Sequence, residues 1–160
     1  MATKPAPVLV YIEQARIRNV PQSVTRTEVI LPGRAAAIAR NSVYAMASNK
    51  AMGESFLREL YRVVSTLEPA KGHGDIMVYS SDEHAGENYN TFLEVQKSGE
   101  KVPVHNYRDC MRLSNLCKAK GYHILFGQSG LMTGAVKNAA AQALTTYLSQ
   151  QMANHKKEGA

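Results

Sequence analysis

Apolar residues recur along this chain at two periods, every second residue or every third to fourth, and the switches between them mark out strands and helices. Val8, Val10 and Ile12 share one face while Leu9, Tyr11, Glu13 and Ile17 share the other, which predicts a strand over 8–17. Both faces are apolar in its first half, so that half belongs inside a sheet and Glu13 falls where the strand leaves the core. Residues 1–7, with Pro5 and Pro7, read as a loose lead-in. Asn19-Val20-Pro21-Gln22 marks a turn. From Val24 to Leu31, Thr and Val alternate with Arg and Glu, as in an outer strand that ends at Pro32-Gly33. A third strand is expected around Ala37 to Ala47, against a competing helical signal from the alanines. Ser48-Asn49 suits a helix cap, and the helix after it, to about Leu67, carries Phe56, Leu57, Leu60, Tyr61, Val64 and Leu67 at three/four spacing.

The second half is organised around Ile76 to Tyr79, an apolar run that predicts a strand covered on both faces. It runs out into Ser80, Ser81, Asp82 and Glu83, and open α/β sheets place their ligands just beyond such strand ends. A polar helix over 83–97 turns Tyr89, Phe92, Leu93 and Gln96 inward. A helix over 106–120 follows, with Tyr107, Cys110, Met111, Leu113, Leu116 and Cys117 as its apolar set and Gly121 as its C-cap. Tyr122 to Phe126 is a short buried strand, 127–130 a loop, 131–152 a last helix, and 154–160 a charged tail. The order β-β-β-α-β-α-α-β-α describes one α/β domain over 8–153.

Composition narrows the class. A chain of 160 residues, 44% hydrophobic and 20% charged, can bury one core and shows no sign of disorder. Its net charge of +6 favours an anionic partner such as nucleic acid. Most of that charge lies in the first third. Lys4, Arg16, Arg18, Arg26, Arg34, Arg40 and Lys50 face only Glu13 and Glu28, a net +5 over residues 1–50. Arginine dominates the set, and its planar fork suits phosphate. Cys110 and Cys117 lie two turns apart on one helix, about 10 Å along its axis, too far for a disulfide with each other. Two reduced core thiols are expected. The sequence carries neither a zinc spacing nor a secretion signal nor a membrane-spanning run, which predicts a soluble, cytoplasmic protein. His73, His84, His105 and His123 show no clustered spacing.

Four local motifs fall along this element order. Val10-Tyr11-Ile12-Glu13 ends the first strand, Asn49-Lys50-Ala51-Met52-Gly53-Glu54 opens the first helix, Tyr79-Ser80-Ser81-Asp82 follows the central strand, and Gly127-Gln128-Ser129-Gly130 precedes the last helix. In order and placing, the chain resembles the ribonuclease H-like superfamily over nearly its whole length. The resemblance implies a mixed sheet flanked by helices and a strand-end site. There, carboxylates hold hard divalent cations, magnesium in kind, beside a scissile phosphate. Glu13, Glu54 and Asp82 would be both the catalytic and the metal residues.

Three departures point away from cleavage. A glutamate replaces the family's first-strand aspartate, which moves the oxygens by a methylene. Gln14, Ala15 and Arg16 stand where small residues follow it, and only Ala15 is small. The last helix offers Lys137 where the family has an acid. Each acid also has a purely structural reading: Glu54 favoured by the helix dipole, Asp82 an N-cap, Glu13 paired with an arginine on a neighbouring strand. The expectation is therefore a nucleic-acid-binding protein that requires no cofactor, with RNA or an RNA–DNA hybrid favoured over duplex DNA by the resemblance. Arg16, Arg18, Arg26, Arg34, Arg40, Asn49 and Lys50 would make the contacts, and Tyr11, Tyr44 and Tyr79 are candidate stackers. Two alternatives stay open. One is an active magnesium-dependent nuclease. The other is an assembly protein that oligomerises through the last helix, whose one charge between Leu131 and Met152 is Lys137.

Overall fold

The computed structural model describes residues 6–16, 21–34, 36–45, 50–101, 103–127 and 131–158. Its elements follow the expected order: β1 (Val8–Arg16), β2 (Gln22–Ile30), β3 (Ile38–Ala45), α1 (Lys50–Thr66), β4 (Gly74–Tyr79), α2 (Glu83–Ser98), α3 (Tyr107–Lys120), β5 (Tyr122–Gly127) and α4 (Leu131–Glu158). The strands form one mixed sheet in the order β3-β2-β1-β4-β5. β1, β2 and β3 are antiparallel neighbours, whereas β4 lies parallel to both β1 and β5.

Register assigns the two faces. Val10 and Ile12 of β1, Ile76 and Val78 of β4 and Ile124 of β5 project to one side and are buried. They join Phe56, Leu57, Leu60 and Val64 of α1, Tyr89 and Phe92 of α2 and Leu113 of α3 in a single core. On the opposite face α4 lies across β1 and β2 through Val136, Ala140 and Leu144, a stripe at i, i+4 and i+8. Its broader apolar set, with Ala143, Tyr147 and Leu148, thus covers its own sheet at least in part. Tyr147 accepts a hydrogen bond from the Gln22 side chain at 3.1 Å.

Several expectations are corrected. β2 is an inner strand, paired on both sides, and β3 is the edge. Ser23, Thr25 and Thr27 are buried, so hydroxyl-bearing β-branched and small residues gave β2 the polar alternation of an outer strand. On β3, Ile38 and Val43 are 58% and 43% exposed. Tyr107 is exposed, and Leu125 of β5, an edge strand, is also on the surface. The last helix runs on to Glu158, so most of the segment read as a tail continues it. Gly121 does end α3, in the left-handed conformation with φ +79° and its N–H on the Cys117 carbonyl. Both cysteines are free and buried, and burial pushes the thiols of Cys110 and Cys117 up to about 12 and about 11. Among the described residues, no helix is long and apolar enough to cross a membrane.

Candidate functional site

The parallel pairing of β1 with β4 sets Tyr11 beside Tyr79, so the chain leaving β4 passes Glu13. The two tyrosine rings stack, with centroids 5.2 Å apart and planes 18° from parallel. Beyond them Ser81 closes on Glu13. Its backbone N–H donates to Glu13 Oε1 at 2.8 Å and its hydroxyl to Oε2 at 2.6 Å. Both carboxylate oxygens are thereby engaged in a side chain only 2% exposed. Burying a carboxylate demands this, since an ionised group taken from water without partners costs far more than the bonds return. Arg26 is the cross-strand neighbour of Glu13, yet its guanidinium bonds to Glu28 and Asn41, both at 3.2 Å.

Asp82 stands one residue further on as the N-cap of α2, accepting from the His84 N–H at 3.0 Å. With Ser80, Phe126 and Gly127 it lines a small hollow of about 180 Å³ beyond the ends of β4 and β5. Glu54 lies past the first turn of α1, so the helix dipole does not account for it. It forms an ion pair with Arg58, whose Nε faces Asp109 of α3 at 3.6 Å. The fold therefore brings Glu13 and the Ser81-Asp82 segment together, while Glu54 is drawn along its own helix. Among the described residues no group of three or more His, Cys, Asp or Glu side chains could hold a metal ion. As arranged, these acids do not fit the divalent-cation centre that the resemblance implies.

The cationic side chains are distributed differently. Arg16 is exposed at the end of β1, Arg40 is exposed on β3, and Arg34 is exposed in the turn after β2. Arg34 and Arg40 have no ion-pair partner among the described residues. Arg26 is half-buried and committed to its two neighbours. Arg18 and Asn49 lie outside the described residues, and for Lys50 only the backbone, at the start of α1, is described. The tyrosines are occupied internally: Tyr11 with Tyr79, and Tyr44 through its hydroxyl on Glu59 Oε2 at 2.8 Å.

Glu59 escaped the sequence reading. It is fully buried on the inner side of α1, where Arg62 Nε donates to its Oε1 at 2.7 Å alongside the Tyr44 contact. Burial pushes its carboxyl up, but the hydrogen bonds from Arg62 and Tyr44 and the Arg62 charge outweigh it and leave the group below the usual carboxylate value. Burial and the bond to Glu59 in turn push Tyr44 up to about 12. A signal was present, since Glu59 lies three residues after Phe56 and four before Val63, on the apolar stripe itself. Ser81 carried no signal, because nothing local shows which distant acid a loop serine will meet.

No family model matches the sequence, and no curated protein does. Solved structures do. The RNase H1 of the halophilic archaeon Halobacterium salinarum NRC-1 superposes with a TM-score of 0.53 at 13% identity, over 86% of this chain and 96% of that one. The prototype foamy virus RNase H domain gives a TM-score of 0.56 at 10% identity, over 88% and 93%. LC11-RNase H1, solved in complex with an RNA/DNA hybrid, gives 0.53 at 9% identity, over 83% and 92%. With its element order and its β3-β2-β1-β4-β5 sheet, the chain has a ribonuclease H-like fold.

Proposed function

We propose that this protein binds nucleic acid, with RNA or an RNA–DNA hybrid preferred over duplex DNA, and that it does so without cleaving it. The observation that carries the reading lies at the end of β1. The acid there, Glu13, is buried and held on both oxygens by Ser81, while the exposed charge three residues later, Arg16, is positive. A strand end built this way presents a cation to a phosphate and withholds the carboxylate that would have to coordinate a metal. Exposed Arg34 and Arg40 add positive charge on the same antiparallel half of the sheet. The preference for RNA or a hybrid draws on the likeness in fold to a protein solved with an RNA/DNA hybrid.

The test is binding of a labelled single-stranded RNA and of an RNA–DNA hybrid at two salt concentrations, with and without magnesium, with each sample then run on a denaturing gel. Salt-dependent binding with intact strands is expected, and the slope counts the phosphates neutralised. Cleavage that appears only with magnesium, and disappears in Asp82→Asn, would establish the nuclease instead. An absence of binding at both salts, together with a molecular mass by light scattering that rises with concentration, would establish an assembly role.

A further inference from the structure

At the pole of the sheet opposite Ser81 and Asp82 the chain forms a much larger cleft, of about 730 Å³. It lies where β1, β4 and β5 begin and β2 ends, one strand length, roughly 16 Å, from the far end of β4. Val8, Leu31, Leu67, Pro69 and Tyr122 give it apolar walls, and Arg34, Glu68, Lys71, His73 and Asp75 supply its charged and titratable groups. We infer that this cleft binds a small organic carboxylate, with an apolar body against those walls and its carboxylate on the Arg34 guanidinium. The inference does not rest on the nucleic-acid reading above.

Small-molecule sites occupy about 300–1,000 Å³ and are largely preformed. Both walls here are held by hydrogen bonds that need no ligand. On one side the loop between α1 and β4 is tied to the start of β5. The Ala70 N–H donates to the Lys120 carbonyl at 2.8 Å, the Gly74 N–H to the Gly121 carbonyl at 3.0 Å, and the Tyr122 hydroxyl to the Glu68 carbonyl at 2.6 Å. Lys120 Nζ adds bonds to the Val64 and Ser65 carbonyls at 3.0 and 2.9 Å, which close the end of α1. On the other side Leu31-Pro32-Gly33-Arg34 is a turn, with the Arg34 N–H on the Leu31 carbonyl at 3.1 Å and Gly33 at φ +78°. That turn fixes where Arg34 leaves the chain. Between the walls, Val8 and Leu67 are buried and Leu31 and Tyr122 pack against the core, so the floor is apolar. Charge then orients the ligand. Arg34 is the one charged group that the turn gives to the lining, and it is exposed and without an ion-pair partner among the described residues. The opposite wall holds all the others, and wherever histidine is neutral its Glu68 and Asp75 outweigh Lys71. An anion is therefore repelled from that wall and drawn to the turn, where the planar fork of Arg34 matches the two oxygens of a carboxylate.

The experiment uses the full chain and two probes of one shape, naphthoate and its neutral amide, naphthamide. Each is titrated into isotope-labelled protein and followed by backbone amide chemical shifts, for wild type, Arg34→Gln and Lys71→Gln. Melts by circular dichroism confirm that each variant is folded. Wild type should show saturable shifts at Leu31, Leu67, Gly74 and Tyr122 with a Kd on the order of a millimolar. It should hold naphthoate about fivefold more tightly than naphthamide. Arg34→Gln should bind the two probes alike, and Lys71→Gln should keep the preference. A preference that survives Arg34→Gln, or that disappears in Lys71→Gln instead, would overturn the carboxylate contact. Shifts that fail to saturate, or that gather around Ser80 and Asp82, would overturn the site. Displacement of naphthoate by a single-stranded RNA would assign the cleft to nucleic acid and overturn the small-ligand reading, whereas binding of both at once supports it. If naphthoate saturates and no RNA binds, the cleft stands and the nucleic-acid reading falls alone.

Discussion

Ser81→Ala tests whether Glu13 is a structural residue. Removing the hydroxyl leaves Glu13 Oε2, in a side chain only 2% exposed, without the donor now at 2.6 Å, while the backbone bond to Oε1 at 2.8 Å survives. A hydrogen bond to a charged group contributes about 1.5–3 kcal/mol, and the stranded oxygen adds desolvation cost that water reaching the exposed Ser81 position partly relieves. The expected loss is about 2 kcal/mol, or roughly 4–8 °C in Tm for a domain of this size. Glu13→Gln should cost less, about 1 kcal/mol, because an amide can accept the Ser81 N–H and donate to its hydroxyl, losing only the charge assistance. Urea and thermal unfolding by circular dichroism, with and without magnesium, measure both. If Glu13 were instead one of a set of mutually repelling acids kept for metal binding, Glu13→Gln would stabilise the protein. Magnesium would also raise the wild-type Tm and not the variant's. Either result refutes the reasoning.

Other consequences can be checked in the same way. The carboxyl of Glu59 is held below its usual value of 4.5, so its contribution to stability is present above that value and is lost as pH falls through the lowered folded-state pKa; Glu59→Gln should therefore flatten the acid side of the stability curve, as read by urea titrations at a series of pH values. Gly86 lies inside α2 because a Cβ there would stand 2.9 Å from Cγ of Phe126, so Gly86→Ala should destabilise by about 1–3 kcal/mol although alanine is the better helix former. With their thiols pushed up to about 12 and about 11, Cys110 and Cys117 should resist a thiol reagent at pH 8 in the native protein and both react once it is unfolded.

The fold was legible because periodicity and punctuation agreed. The Phe56-to-Leu67 stripe, the apolar run at Ile76 and the C-cap Gly121 each set an element whatever its tertiary partners, and their order implied the sheet. Strand position was harder to read. β2 lies inside the sheet with Ser23, Thr25 and Thr27 buried, and a buried threonine looks like an exposed one until the covering helix is known. The site was legible only in its parts. Asp82 as an N-cap follows from local chemistry, and Lys137 on the last helix was visible as a charge out of place. The contact between Glu13 and Ser81, 68 positions apart, depends on the pairing of β1 with β4, which no local pattern specifies.

The end of β1 is where this fold could meet a phosphate, either through a metal or directly. A phosphate arriving there meets Glu13, buried with both oxygens on Ser81, and the exposed Arg16 three residues later. With both Glu13 oxygens committed to Ser81, the strand end offers no free oxygen of that carboxylate to a metal, so the direct route is the one that binding with and without magnesium tests.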